Sequence, residues 1–304
     1  MTDLPLGLVH TPLTPFNDDL SIDFDHYGRI LEFHLDNGAE ALALPMHVGE
    51  SVSMSDAERH GLLEFALERV DGRVPVVAHV TQSGTAMVQS LAAQAEQAGA
   101  AAIICTTPYY WKPQPAMMLH HFAEIGAAVT IPYFLLNAPG EMGGTRVTTD
   151  LALDLIERLD NFQGIVDTAL DWQFLIDVVF NARAVRPGFQ LLPGLEFMIS
   201  AGAIGAKGAF APHAAIAPRL IRRLYDLFRE ERYDDARPAQ EEFARLYQAV
   251  KNGGTAGMKA AARAMGRECG DPRPPVKPLS AEAQRRLAEE INAIPSVAGE
   301  ARGW

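Results

Sequence analysis

Short apolar runs alternate along the chain with amphipathic stretches of helical period. The runs are Gly7–Thr14, Ala41–Met46, Pro75–Val80, Ala100–Thr106, Ile131–Asn137, Gln163–Asp167, Gln190–Gly194 and Gly205–Ala211. Each is brief and rich in Val, Ile, Leu and Ala, as buried parallel strands are. Between them the pattern predicts helices. Ser55-Asp56-Ala57-Glu58 is a capping box that opens a helix over Ser55–Val70, and Gly38 and Gly99 stand where helix C-caps fall. Strands that are each followed by a helix, recurring about every 25–30 residues, predict a (β/α)8 TIM barrel. An open doubly wound sheet is the competing arrangement, but no G-x-G-x-x-G follows the first strand.

Beyond the eighth helix, Pro218–Arg229, three more helical patterns follow over Tyr233–Val250, Ala256–Met265 and Ser280–Ile294. Asp271-Pro272-Arg273-Pro274-Pro275 separates the last two as a stiff extended linker. The expected organisation is a barrel over residues 1–230 and a C-terminal helical extension over 231–304 packed on it, with the tail Pro295–Trp304 frayed.

Charge and composition narrow the partners. Across 304 residues, 26 Lys and Arg stand against 38 Asp and Glu, a net charge of −12. That balance argues against nucleic acid or an anionic membrane surface as a partner. No apolar run is long enough to span a bilayer and the start is neither basic nor apolar, so a cytoplasmic protein is expected. The two cysteines, Cys105 and Cys269, form no CxxC pair, which excludes a cysteine-rich zinc site.

Several dispersed segments carry a resemblance. Thr14-Pro15-Phe16 closes the first strand and Gly49-Glu50-Ser51 follows the second. Pro108-Tyr109-Tyr110-Trp111-Lys112-Pro113 follows the fourth and Asn137-Ala138-Pro139 the fifth. Met258-Lys259-Ala260-Ala261 and Arg273-Pro274-Pro275-Val276-Lys277-Pro278-Leu279-Ser280 come late. As an ordered set over about residues 5–295 they resemble the dihydrodipicolinate synthase/N-acetylneuraminate lyase family of class I aldolases. The resemblance implies a (β/α)8 barrel, a homo-oligomer (dimer or tetramer), and action on a small 2-oxo acid through a lysine imine with no cofactor.

Set against that pattern, four positions have changed. Where the family's strand reads G-[IV]-K-[DE], this chain has Gly164-Ile165-Val166-Asp167, and a valine cannot form an imine. Leu136-Asn137-Ala138-Pro139 replaces Y-N-x-P, so the phenol that relays protons is gone, and Glu141 stands where some members bind a substrate carboxylate with arginine. Met46-His47-Val48-Gly49-Glu50 replaces the carboxylate-holding G-T-T-G-E loop. The second tyrosine of the triad is retained as Tyr110.

What remains supplies the candidates. Lys207, read as lying within the eighth strand among small residues, is a relocated nucleophile if its face points into the barrel. His47 and His79 end the second and third strands, where barrel enzymes carry chemistry, and can move protons near neutral pH. Asp167 is adjacent to the vacated position, and alternation turns it away from Val166. Thr11 points inward with His10 outward, His213 is a candidate rim residue, and Glu50 is read as structural. The substrate-binding set is therefore Val48, His79, Leu136, Asn137, Glu141, Val166, Asp167 and Thr11, around Lys207, Tyr110 and His47 as catalytic groups. The leading expectation is an aldolase- or dehydratase-type lyase on a small carbonyl substrate through Lys207. A metal-assisted or acid/base lyase using His47, His79 and Asp167 is the second. A catalytically silent binding protein on the same scaffold is the third.

Overall fold

The computed structural model describes residues 3–110, 112–140, 143, 145–194 and 197–304. Among the described residues, eight strands alternate with helices: β1 Leu8–His10, α1 Phe24–Asp36, β2 Ala41–Leu44, α2 Asp56–Val70, β3 Val76–His79, α3 Thr85–Ala98, β4 Ala102–Thr106, α4 Pro115–Ala127, β5 Tyr133–Asn137, α5 Thr149–Arg158, β6 Phe162–Asp167, α6 Trp172–Val185, β7 Gln190–Pro193, α7 Met198–Ala203, β8 Ala209–Ala211 and α8 Pro218–Arg229. The strands run β7-β6-β5-β4-β3-β2-β1-β8, and a parallel bridge between Gly194 and Phe210 joins the two ends. This is the expected (β/α)8 barrel, nearly closed. Four further helices follow: α9 Tyr233–Val250, α10 Gly254–Ala264, α11 Ala281–Asn292 and α12 Pro295–Ala298.

The chain forms two compact units. The first holds residues 1–7 and 75–210, and the second holds 8–74 and 211–304. In the first unit β3 to β7 pair in parallel register, with His79 opposite Ile104, Thr106 opposite Leu136, and Leu136 opposite Val166. Gly164 has a local reason: a Cβ there would lie 2.6 Å from the carbonyl of Gln190.

In the second unit, α2 opens with the expected capping box between Ser55 and Glu58. The tail is not frayed. Buried Arg267 donates to the carbonyls of Ala215, Ile216, Ala301 and Gly303, and Glu300 accepts from the first amides of α8. Trp304 adds a hydrogen bond to the Glu268 carbonyl and an edge contact with Phe33. An arginine with its charge out of water requires several acceptors, and the tail carbonyls are two of them.

Candidate active site

Which way each strand residue faces follows from a few contacts in the first unit. A Cβ on Gly126 of α4 would lie 3.1 Å from the Tyr133 ring, so Tyr133 faces the helices. Alternation along β5 then puts Asn137 on the helix side and Phe134 and Leu136 on the inner side. Paired residues in parallel strands share a face, so the inner row continues through Thr106, Leu136, Val166 and Leu192. Two residues nearer the strand starts, a second inner row runs His79, Ile104, Phe134 and Gly164. The first row lies at the C-terminal strand ends, the face on which barrel enzymes carry their sites, and in the deeper second row only His79 ends its strand.

The inner wall is apolar where the resemblance would place an amine and a phenol. Val166 is 1% exposed, between Leu136 and Leu192. Polar groups come from β3 and β4. The Thr81 hydroxyl is 2.7 Å from His79 Nε2 and accepts from the Thr106 amide at 3.0 Å. Thr106 itself is buried, with no partner for its own hydroxyl among the described residues.

Asp167 belongs to the other side of the sheet. Its carboxylate accepts from the Asn137 side chain at 2.6 Å and the Ala169 amide at 3.0 Å, while Asn137 Oδ1 accepts from the Val147 amide. Burial raises its pKa to about 6, and the Asn137 hydrogen bond opposes the shift. Asn137 and Asp167 thus clamp the loops after β5 and β6. As a correction to the acid/base and metal expectations, Asp167 and His79 face opposite ways and do not converge. Among the described residues no group of three or more His, Cys, Asp or Glu could hold a metal.

Lys207 also needs correcting. It is exposed and precedes β8, which begins at Ala209. A Cβ on Gly208 would lie 2.8 Å from Leu192 Cδ2, so Gly208 faces inward and Lys207 the other way. The reason is the glycine at 205, whose φ of 98° turns the chain and delays the strand. Tyr110 is 99% exposed with φ 84°, while Tyr109 donates to Gln82 at 2.9 Å. Glu141 lies outside the described residues.

In the second unit, Thr11 is buried, and its hydroxyl has no partner among the described residues. His10 bonds His34 of α1. His47 is exposed and Val48 half-buried on a 3-10 turn over His47–Gly49. Glu50, in the left-handed region, pairs with buried Lys259 of α10 at 2.7 Å and accepts the Arg273 amide at 2.8 Å. His213, on the turn after β8, is buried against Phe243 and Tyr247 of α9.

Comparison with known proteins decides the lineage. The sequence profile of the Dihydrodipicolinate synthetase family matches residues 4–294. The chain belongs to this family. A 4-hydroxy-tetrahydrodipicolinate synthase of Rhodopseudomonas palustris (strain BisA53) is 31% identical, covering 88% of this chain and 90% of its own. One from Methanopyrus kandleri is 29% identical, over 95% and 96%. Among solved structures, the dihydrodipicolinate synthase of Bacillus anthracis superposes with a TM-score of 0.91 at 25% identity, covering 96% of this chain and 99% of that one. Within the family scaffold, then, Val166 sits on the inner wall with no lysine beside it in the paired rows. Sequence reasoning missed Thr81 and Thr106. The available signal was alternation, since Thr81 is two residues past His79.

Proposed function

We propose that the protein is an aldolase- or dehydratase-type lyase that acts on a small carbonyl compound of the 2-oxo acid class by acid/base chemistry, without a lysine imine. The observation that carries this reading is the inner wall of the first unit, where Val166 and Leu136 stand with the Thr106 hydroxyl, and His79 lies in the next row. Family membership supports lyase chemistry. An imine needs an amine, and the five lysines offer none on that wall: Lys112, Lys207, Lys251 and Lys277 are exposed, and Lys259 is held by Glu50. A buried imidazole can polarise a carbonyl and carry a proton. Tyr110 is a further proposed proton carrier. With Leu136 and Val166 on the wall in place of a phenol and an amine, free pyruvate binds weakly, and the substrate is larger or less anionic.

The test is a panel of 2-oxo acids, their hydroxylated derivatives and aldehydes, followed by NMR for turnover, with borohydride added in parallel. Turnover of one member is expected, with no mass adduct on the wild-type protein and a loss of about 100-fold or more in kcat/KM for His79→Gln. An adduct on any lysine overturns the non-imine reading. No turnover across the panel favours a binding protein on this scaffold.

A further inference from the structure

We propose that the inner wall of the first unit takes a carbonyl compound bearing an apolar alkyl or aryl substituent, with the Thr106 hydroxyl donating to the carbonyl oxygen and Leu136, Val166 and Leu192 covering the substituent. This rests on the reading of the wall as carbonyl-binding, but not on turnover.

Two contacts fix the facing of Thr106. Its chain neighbour Cys105 lies 3.0 Å from the Tyr133 hydroxyl on the helix side of the sheet, so alternation turns Thr106 inward. Its pairing with Leu136 then places it in the first inner row. Thr106 is 1% exposed, and its hydroxyl has no hydrogen-bond partner among the described residues. The surrounding side chains account for that. The next inner residue along its own strand is Ile104, and Leu136 and Phe134 stand opposite on β5, none of them polar. Thr81 is near, but its oxygen takes the Thr106 amide. A buried hydroxyl without a partner carries a desolvation cost, which a ligand oxygen brought to it offsets. A ketone or aldehyde oxygen has only lone pairs, so the threonine supplies the hydrogen.

The remainder of the row sets what else the ligand carries. From β4 to β7 it reads Thr106, Leu136, Val166 and Leu192, one hydroxyl followed by three aliphatic side chains. Neighbouring strands are about 4.8 Å apart, so the aliphatic stretch runs about 10 Å, room for a phenyl or hexyl group. None of the four row residues is charged. A carboxylate laid on this stretch would lose hydration without a compensating cation, whereas an alkyl or aryl group gains by leaving water. One hydrogen bond at one end and apolar contact along the rest thus select the ligand.

The experiment measures binding to the full-length protein by ligand-observed NMR titration with pyruvate, 2-butanone, 2-hexanone, 2-octanone and benzylacetone. Affinity is expected to rise about two- to fourfold per added methylene from 2-butanone to 2-octanone, with pyruvate weakest. Thr106→Val should keep or raise the urea midpoint, because an unpaired buried hydroxyl is removed, and should weaken 2-octanone about fivefold. Thr106→Ser should hold the wild-type affinity. Val166→Thr, which sets a hydroxyl within the aliphatic stretch, should reduce the gain per methylene. A urea midpoint that falls in Thr106→Val shows that the hydroxyl serves the fold and overturns the proposal. Unchanged 2-octanone affinity in that variant, pyruvate binding more tightly than the ketones, or no binding by any ketone overturns it as well. Ketones that bind in the expected pattern while no compound is turned over would sink the lyase reading and leave this one standing. Turnover of a 2-oxo acid at an unchanged rate in Thr106→Val would do the reverse.

Discussion

A side chain placed at position 166 projects from the inner row between Leu136 and Leu192. Lysine there would be desolvated by apolar neighbours, which favours its neutral, nucleophilic form. Val166→Lys is therefore expected to gain a borohydride-trapped pyruvate adduct that the wild-type protein lacks, mapped to residue 166 by mass spectrometry. Turnover stays slow, because Leu136 offers no phenol to relay the proton. Burying an amine also has a cost, and the melting temperature should fall by several degrees. A folded Val166→Lys that takes up no pyruvate would show that the inner row does not border the carbonyl-binding space.

Elements of the fold were legible where they announced themselves locally. The capping box at Ser55, the α8 bounds Pro218–Arg229 and the α9 bounds Tyr233–Val250 are found where the hydrophobic period set them. Strand extents read from the sequence are too long, because small and apolar residues also flank the strands; at β8 the turn at Gly205 delays the strand, which is why Lys207 falls outside it. The tail was misread because its anchor, Arg267, lies 34 residues from Ala301 and no local pattern pairs them. In the candidate site, alternation assigned the facing of Val166 and Asp167, whereas the Thr81–His79 contact depends on side-chain geometry. Glu50 was read as structural, and its ion pair with Lys259 makes a test at this scale. Both side chains are almost fully buried. Lys259→Met leaves the Glu50 carboxylate uncompensated and should lose about 3–5 kcal/mol in urea unfolding. The double variant Glu50→Gln/Lys259→Met should recover part of that loss. Equal loss in both would mean that the pair contributes packing alone.

Across the whole molecule, two features reach beyond the single site. One is exposed apolar surface. Trp172, Ile176 and Phe180 succeed one another on turns of α6, with Phe180 76% exposed, and Tyr110 stands free of the chain's own packing. A dimer or tetramer that covers them is the expected state, and a particle of 33.0 kDa in light scattering at micromolar concentration would rule it out. The other is a set of histidines kept neutral by burial. His10 is lowered to about 3, His121 and His213 to about 4, and His34 well below its ordinary value, each chiefly by desolvation. A histidine whose folded pKa is depressed stabilises the protein above its unfolded value of about 6.5, and that contribution is lost as pH falls below it. Each can contribute a slope of up to about 1.4 kcal/mol per pH unit between its unfolded and folded pKa. Asp167 has the opposite sign. Its pKa is raised to about 6, so between its ordinary value and 6 the folded state gains from acidification. His26 is lowered in the same sense and Glu300 raised in the sense of Asp167, so five histidines oppose two carboxyls, and the balance should favour acid destabilisation. The urea midpoint is expected to drop from pH 7.5 to pH 5. His213→Phe, which keeps a ring against Phe243, should flatten the slope, and Asp167→Asn should steepen it. A midpoint that stays constant over this range would contradict the account of the buried histidines.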